Sequence, residues 1–175
     1  MTTNLLLVSQ AGHVTPAHYD EQHNLFCQLK GTKRVLLVSP EQWPAMYPYP
    51  VHHACDRQSM VDAFRRLPPR TDAPTCEGGR FPLFGVVRAV EAVVRPGDVL
   101  YIPPYCWHHV ETLEESVSLT FWYRCGKMEG VRLPITATQK VAMRRNIEIM
   151  LGHAVGQTKV AALMRALLAN TLNAE

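Results

Sequence analysis

Apolar residues follow two rhythms along this chain. Up to about Tyr123 they come in short runs, Leu5–Val8, Val35–Val38, Val86–Val94 and Val99–Ile102, parted by Gly and Pro. Short runs rich in β-branched residues and bounded by turn residues predict strands, and Pro96-Gly97-Asp98 is a turn signal leading into Val99. Ser116–Tyr123 alternates, with Val117, Leu119 and Phe121 on one side and Ser118, Thr120 and Trp122 on the other. A strand of that period packs one face on a core and turns the other toward a polar cavity. Residues 63–80 carry little periodicity and predict a loop.

Beyond residue 134 the period lengthens. Met143, Ile147, Met150 and Leu151 fall at helical spacing, with Gly152 as the expected stop. Thr158 is a candidate N-cap for a second helix whose stripe is Val160, Leu163, Met164, Leu167, Leu168 and Leu172. Ala161, Ala162, Ala166 and Ala169 widen its apolar side. A helix apolar over more than one face wants more than one partner. The expected organisation is therefore a mainly β body over 1–134, with 63–80 as an inserted loop, and a helical pair over 135–175 that forms a dimer contact.

Composition narrows the function classes. The chain has 175 residues, 47% hydrophobic and 19% charged, one domain with a buriable core. A net charge of +3 is too small to argue for nucleic acid or an anionic membrane. The Arg residues at 65, 66, 70 and 80 fall in the Pro-rich loop and read as a solvated cluster. Five cysteines with no CxxC spacing argue against a disulfide framework or a thiolate zinc site. The start lacks a basic segment and a long apolar run, so no leader is expected, and the expected setting is cytosolic or nuclear.

Two segments carry chemistry. His18-Tyr19-Asp20 places two donors at i and i+2, on one side of a strand, so both reach one metal. A third donor from elsewhere completes a 2-His-1-carboxylate set that leaves positions open on Fe(II). The motif by itself is weak: eight His and 15 acidic residues yield about 0.7 such pairs by chance, and His109-Val110-Glu111 is a second one. The context of the first is richer. Lys33 follows a Gly31-Thr32 turn and opens an apolar strand, where it is either the point charge for the far end of a small dicarboxylate or a surface lysine beside Lys30 and Arg34. The other segment, Pro96 to His109, runs turn, strand and then Trp107-His108-His109. In an extended segment only one of the two histidines faces inward, and spacing alone does not choose between them.

Asn4 to Arg34, Tyr47-Pro-Tyr-Pro-Val-His-His-Ala-Cys-Asp-Arg-Gln-Ser59, Pro96–His109, Thr120-Phe-Trp-Tyr123 and Gln139–Gly152 together resemble the JmjC/cupin-type 2-oxoglutarate oxygenases, most of all the asparaginyl hydroxylases of hypoxia-inducible factor. The resemblance spans nearly the whole chain apart from 63–80. It implies a double-stranded β-helix (jelly-roll) barrel with His18, Asp20 and His108 as ligands of Fe(II). It implies that Lys33 and Thr15 hold the far carboxylate of 2-oxoglutarate with Asn24 nearby, and that O2 is the co-reactant. It further implies that Gln22 and Trp122 line the reaction cavity, that Arg57 and Gln58 meet the substrate polypeptide, and that the C-terminal helices form a homodimer. The implied substrates are asparagines in a transcription-factor segment or in ankyrin repeats.

Two departures accompany the resemblance. Thr120 stands where the family has Asn in the strand before Phe-Trp-Tyr, which removes an amide beside the metal. The chain also starts just upstream of the HxD strand, so a first barrel strand and a cosubstrate-binding Tyr of the family are expected to be missing. The rival expectations are a JmjC lysine demethylase with the same triad, a non-catalytic chain that acts through dimerisation, and, more distantly, a metal-free cupin sugar-binding module.

Overall fold

The computed structural model describes residues 3–62, 80–124 and 134–169. Nearly all of the 63–80 loop and Leu172 lie outside them. Among the described residues eight strands divide between two antiparallel sheets: β1 (Thr3–Ser9), β2 (Val14–Tyr19), β3 (His23–Lys30), β4 (Lys33–Val38), β5 (Ala89–Val94), β6 (Val99–Ile102), β7 (Trp107–Thr112) and β8 (Ser116–Tyr123). One sheet runs β1-β8-β3-β6, the other β2-β7-β4-β5. This is the jelly-roll architecture, followed by helices α1 (Ala137–Val155) and α2 (Gln157–Ala169).

Register decides which residues face the space between the sheets. Directly paired residues share a face, so the chain Asn24↔Trp122, Phe26↔Thr120 and Gln28↔Ser118 sets one inner wall. His18↔His108, Leu37↔His108 and Lys33↔Thr112 set the other. The apolar part of this interior is Phe26, Val35, Val94, Ile102, Cys106 and Val110. Sulfur burial drives the Cys106 thiol up to about 11, so it behaves as an inert filler.

The alternation of β8 is observed, with its Ser118 and Thr120 side turned to the polar interior as expected. Ser116, Ser118 and Thr120 are buried inside, whereas Val117, Leu119 and Phe121 face outward and are half-buried. The barrel interior is therefore polar along β8, and hydrophobicity alone would pick the wrong inner face. A second core lies outside the other sheet. Tyr19, Leu36, Val38 and Trp107 on its outer face are covered by Ala45, Met46, Val61 and Phe84. These come from the 3-10 turns Pro40–Met46 and Pro82–Val86 and the segment near 61. The Val86–Val94 run is thus split, its first residue ending a 3-10 turn and the strand proper starting at Ala89.

The helices also correct two details. Thr136 caps α1 through a reciprocal box with Gln139. Gly152 is interior to α1, which ends at Gly156 with φ +85°, and Thr158 lies inside α2. The face of α1 that docks carries buried Val141 and Arg145, while Met143, Ile147 and Met150 are exposed.

Candidate metal centre

His18, Asp20 and His108 converge so that one donor atom from each lies within 4.8 Å of the others. Local pairing produces this. His18 and His108 are direct partners across β2 and β7, with ring centroids 4.1 Å apart. The Nδ1 of each imidazole sits against a backbone carbonyl two residues back, His18 on Pro16 at 2.8 Å and His108 on Cys106 at 3.1 Å. A carbonyl only accepts, so Nδ1 carries the proton and Nε2 keeps its lone pair. Burial pushes His108 down to about 3, with the neighbouring His18 adding to the effect. It is therefore neutral at physiological pH, as a ligand must be.

Asp20 is oriented from the side. Trp122 Nε1 donates to its Oδ2 at 2.8 Å, and Arg57 lies 3.5 Å from its Oδ1. Arg57 has φ +68°, a strained conformation for a side-chain-bearing residue. The strain is held in place because the Arg57 carbonyl accepts the Tyr19 N–H at 3.1 Å. Gln58 forms an isolated bridge to His18. Asp20, Gln22, Arg57 and Trp122 open onto one cavity of about 550 Å³. His109 points to the opposite face, where its Nε2 lies 3.3 Å from Glu111.

The remaining polar residues line the interior deeper in the barrel. Lys33 shares the inward face of β4 with Leu37, the partner of His108, four strand residues or about 13 Å away. It is buried, and desolvation lowers its pKa. Its ammonium donates to Ser9 Oγ at 3.2 Å and lies over the Phe26 ring at 5.4 Å; among the described residues no carboxylate meets it. The turn that delivers it is built tightly. A side chain on Gly31 (φ +70°) would put its Cβ 2.2 Å from the Glu115 carbonyl oxygen, so only Gly fits. Buried Gln28 donates to the Lys30 and Gly31 carbonyls at 2.7 and 2.9 Å.

Thr15 reaches the same face through an irregularity. It pairs with Val110 while His18 pairs with His108, three steps on β2 against two on β7. That bulge turns Thr15 inward with His18 despite the odd spacing. Asn24 is buried with Oδ1 lacking a partner, an acceptor held ready inside the pocket. Thr120 is buried beside it on the wall and donates to the Leu5 carbonyl at 3.4 Å. Sequence reasoning missed Ser9, Gln28 and the ion cluster around Arg145. Nothing at the level of motif distinguishes these from surface residues, although Arg145 falls at helical spacing from Val141 on the docked face.

The donor set fits a divalent metal of the first transition row. Two neutral imidazoles and one carboxylate on one side leave the other side open to the cavity. A model of the cupin-like domain family matches residues 2–127. The fruit fly protein named Jumonji C domain-containing protein 5 is 35% identical over 113 residues, 65% of this chain and 25% of that protein. Lysine-specific demethylase 8 of zebrafish is 33% identical over 112 residues, 64% of this chain and 25% of that one. The human bifunctional peptidase and (3S)-lysyl hydroxylase JMJD7 is 29% identical over 126 residues, 66% of this chain and 40% of that one. The chain thus spans about a quarter of the length of the first two relatives.

Proposed function

Because the chain belongs to the cupin-like domain family, we propose that it carries the metal centre of an Fe(II)- and 2-oxoglutarate-dependent oxygenase that hydroxylates a protein side chain. One observation supports this above the rest. A buried lysine that meets no carboxylate among the described residues stands about 13 Å along the strand from a His-Asp-His cluster. An uncompensated buried cation is costly, and a dicarboxylate that chelates iron at one end offsets that cost at the other. Iron, when bound, supplies the coupling of O2 reduction to decarboxylation of the 2-oxo acid, giving succinate, CO2 and a hydroxylated product. The chain's own residues orient the reactants. His18, Asp20 and His108 hold the ion, Lys33 and Thr15 fix the far carboxylate, and Asn24 and Thr120 shape the wall beside it. Gln22 and Trp122 line the mouth, with Arg57 and Gln58 placed to meet a polypeptide.

Asparagine in a transcription-factor segment or an ankyrin repeat is the proposed target, on the likeness of the Tyr47–Ser59 segment and of Thr120–Tyr123 to asparaginyl hydroxylases. A second reading, lysine modification, is favoured by the names of the relatives and by the acidic residues Asp20, Glu21 and Asp56 at the cavity. The exposed row of Met143, Ile147 and Met150 on α1 supports a homodimer through the helices. Cys27, Cys55 and Cys106 are free thiols, in keeping with a cytosolic or nuclear setting. Among the described residues no helix is long and apolar enough to cross a membrane.

The test is succinate release from 2-oxoglutarate with Fe(II), measured with an ankyrin-repeat protein, a methyl-lysine peptide or neither, against His18→Ala. Turnover stimulated by the repeat protein and lost in the variant is expected. Stimulation by the lysine peptide alone would move the assignment to lysine, and no turnover from folded protein would favour a non-catalytic role through dimerisation. Ile147→Glu is expected to halve the mass seen by light scattering.

A further inference from the structure

We propose that Arg145, from the C-terminal helix α1, is a positioning residue of the metal centre, setting the spacing between the strand that carries His18 and Asp20 and the loop that carries Arg57 and Gln58. The inference rests on reading the His-Asp-His cluster as a metal site. Its basis is one guanidinium whose partners all sit beside that site. Arg145 donates through both terminal nitrogens to Asp56, at 2.6 Å to Oδ1 and 2.5 Å to Oδ2. Its Nε donates to Glu21 Oε1. One terminal nitrogen also donates to the Tyr19 hydroxyl at 3.1 Å, and the guanidinium lies 5.9 Å from the centre of that ring.

The positions of those partners give the cluster its meaning. Tyr19 stands between the two ligands His18 and Asp20, and Glu21 follows directly. Asp56 precedes Arg57, the strained residue whose carbonyl accepts the Tyr19 N–H and whose side chain approaches Asp20. A bidentate fork fixes direction as well as distance. It therefore holds the ligand strand and the Arg57 loop in one frame, from a helix more than 80 residues further along the chain.

The helix has a separate hold on the body. The His52 ring packs so closely over Gly152 that an added Cβ would lie 2.1 Å from its Nε2. That nitrogen lies 3.3 Å from the Glu148 carbonyl, and Val141 is buried. Loss of the fork therefore leaves α1 docked, which separates positioning from mere attachment.

The experiment titrates Co(II) alone into the full chain and follows the visible absorption of the bound ion, alongside thermal unfolding. Arg145→Lys keeps the charge and loses the fork. It is expected to weaken Co(II) binding about tenfold, the scale at which residues behind metal ligands act, and to shift the absorption bands; Asp56→Asn is expected to do the same. Val141→Ala loosens the same helix without touching the fork and is expected to lower the unfolding temperature while leaving affinity and spectrum unchanged. Wild-type affinity and spectrum in both Arg145→Lys and Asp56→Asn would overturn the proposal, as would an equal loss in Val141→Ala. If the wild type binds no Co(II), or His18→Ala binds it as well, the metal assignment itself fails and takes this inference with it.

Discussion

Two His-x-acid pairs occur in this chain, and the fold gives them opposite fates. His18 and Asp20 face the barrel mouth and meet His108; Pro16 engages His18, Trp122 engages Asp20 and Cys106 engages His108, so that the free lone pairs of the three converge. His109 and Glu111 lie on the far side of β7. There Glu111 accepts from Arg34 at 3.2 Å, and Arg34 in turn donates to Glu91 at 2.8 Å. Each pair joins a histidine to a carboxylate two residues on, and both histidines lie in the same sheet. The first pair has a third donor on its own face and an open side, and the cation beside it among the described residues, Arg57, stays 3.5 Å from Asp20. The second pair is already neutralised. A metal site is thus distinguished by what surrounds its donors more than by the donors themselves.

The largest expected effect breaks the first pair and spares the second. His18→Ala is expected to lower Fe(II) or Co(II) affinity by at least about 100-fold and to end turnover. His109→Gln is expected to keep metal affinity and lose about 1–3 kcal/mol of stability, because the new side chain satisfies the buried site imperfectly. Calorimetric titration of both variants checks this, and a loss of metal in His109→Gln would erase the contrast.

Next in size is Lys33→Met. Loss of this buried cation is expected to weaken 2-oxoglutarate binding by about 10- to 100-fold, the range for removing a charge-assisted contact of about 1.5–3 kcal/mol, with Co(II) affinity retained. The same change is expected to stabilise the ligand-free protein by about 1 kcal/mol at neutral pH, since it removes a desolvated cation. The sign follows from Lys33's lowered pKa. Between that value and 10.5 the unfolded chain holds more protons than the native one, so wild-type stability rises with pH through this window and levels off above it. Lys33→Met lacks that rise. Urea unfolding at a series of alkaline pH values measures it, and identical slopes in the two proteins would show Lys33 to be solvated.

A smaller effect is expected of Trp122→Phe, which keeps the ring and removes the N–H that holds Asp20 at 2.8 Å. Metal affinity is expected to fall about tenfold, with little change in unfolding temperature because Trp122 is only half-buried. Unchanged affinity would mean that Arg57 alone suffices to orient the carboxylate.

How much of this was legible in the sequence follows from the range of each signal. Strands and turns depend on neighbours, so β4, β6, β8 and the turn at Pro96 were readable from local pattern. Lys33 was readable as a candidate because Gly31 marks the turn that aims it. The choice of His108 over His109 was not available from spacing, since it depends on which face of β7 meets β2; it came from resemblance, and the pairing with His18 supplies its physical basis. The two faces of β8 were readable from its alternation, and the polar one is the buried one, the reverse of the usual rule that the apolar side is the inner one. The docked face of α1 was not legible: the apolar row Met143, Ile147, Met150 looks outward, while a charged residue, Arg145, is the buried anchor. Contacts that span more than 80 residues, such as Arg145 with Asp56, leave no mark in either sequence neighbourhood.

The smallest expected effect tests the second pair from its acidic end. Glu111→Gln keeps the shape of the side chain and an oxygen for Arg34, but removes the charge that Arg34 and His109 share. Arg34 retains Glu91 at 2.8 Å, so the cation is not stranded, and the loss is expected to be about 1 kcal/mol, read as a small drop in the urea midpoint at constant slope. Metal and 2-oxoglutarate affinities are expected to stay at wild-type values, because Glu111 and His109 lie across the sheet from His108 and Thr112. A fall in metal affinity here would be the more instructive result. It would mean that the outer ion network sets the pitch of β7, so that the neutralised pair helps to place the inward histidine one residue away.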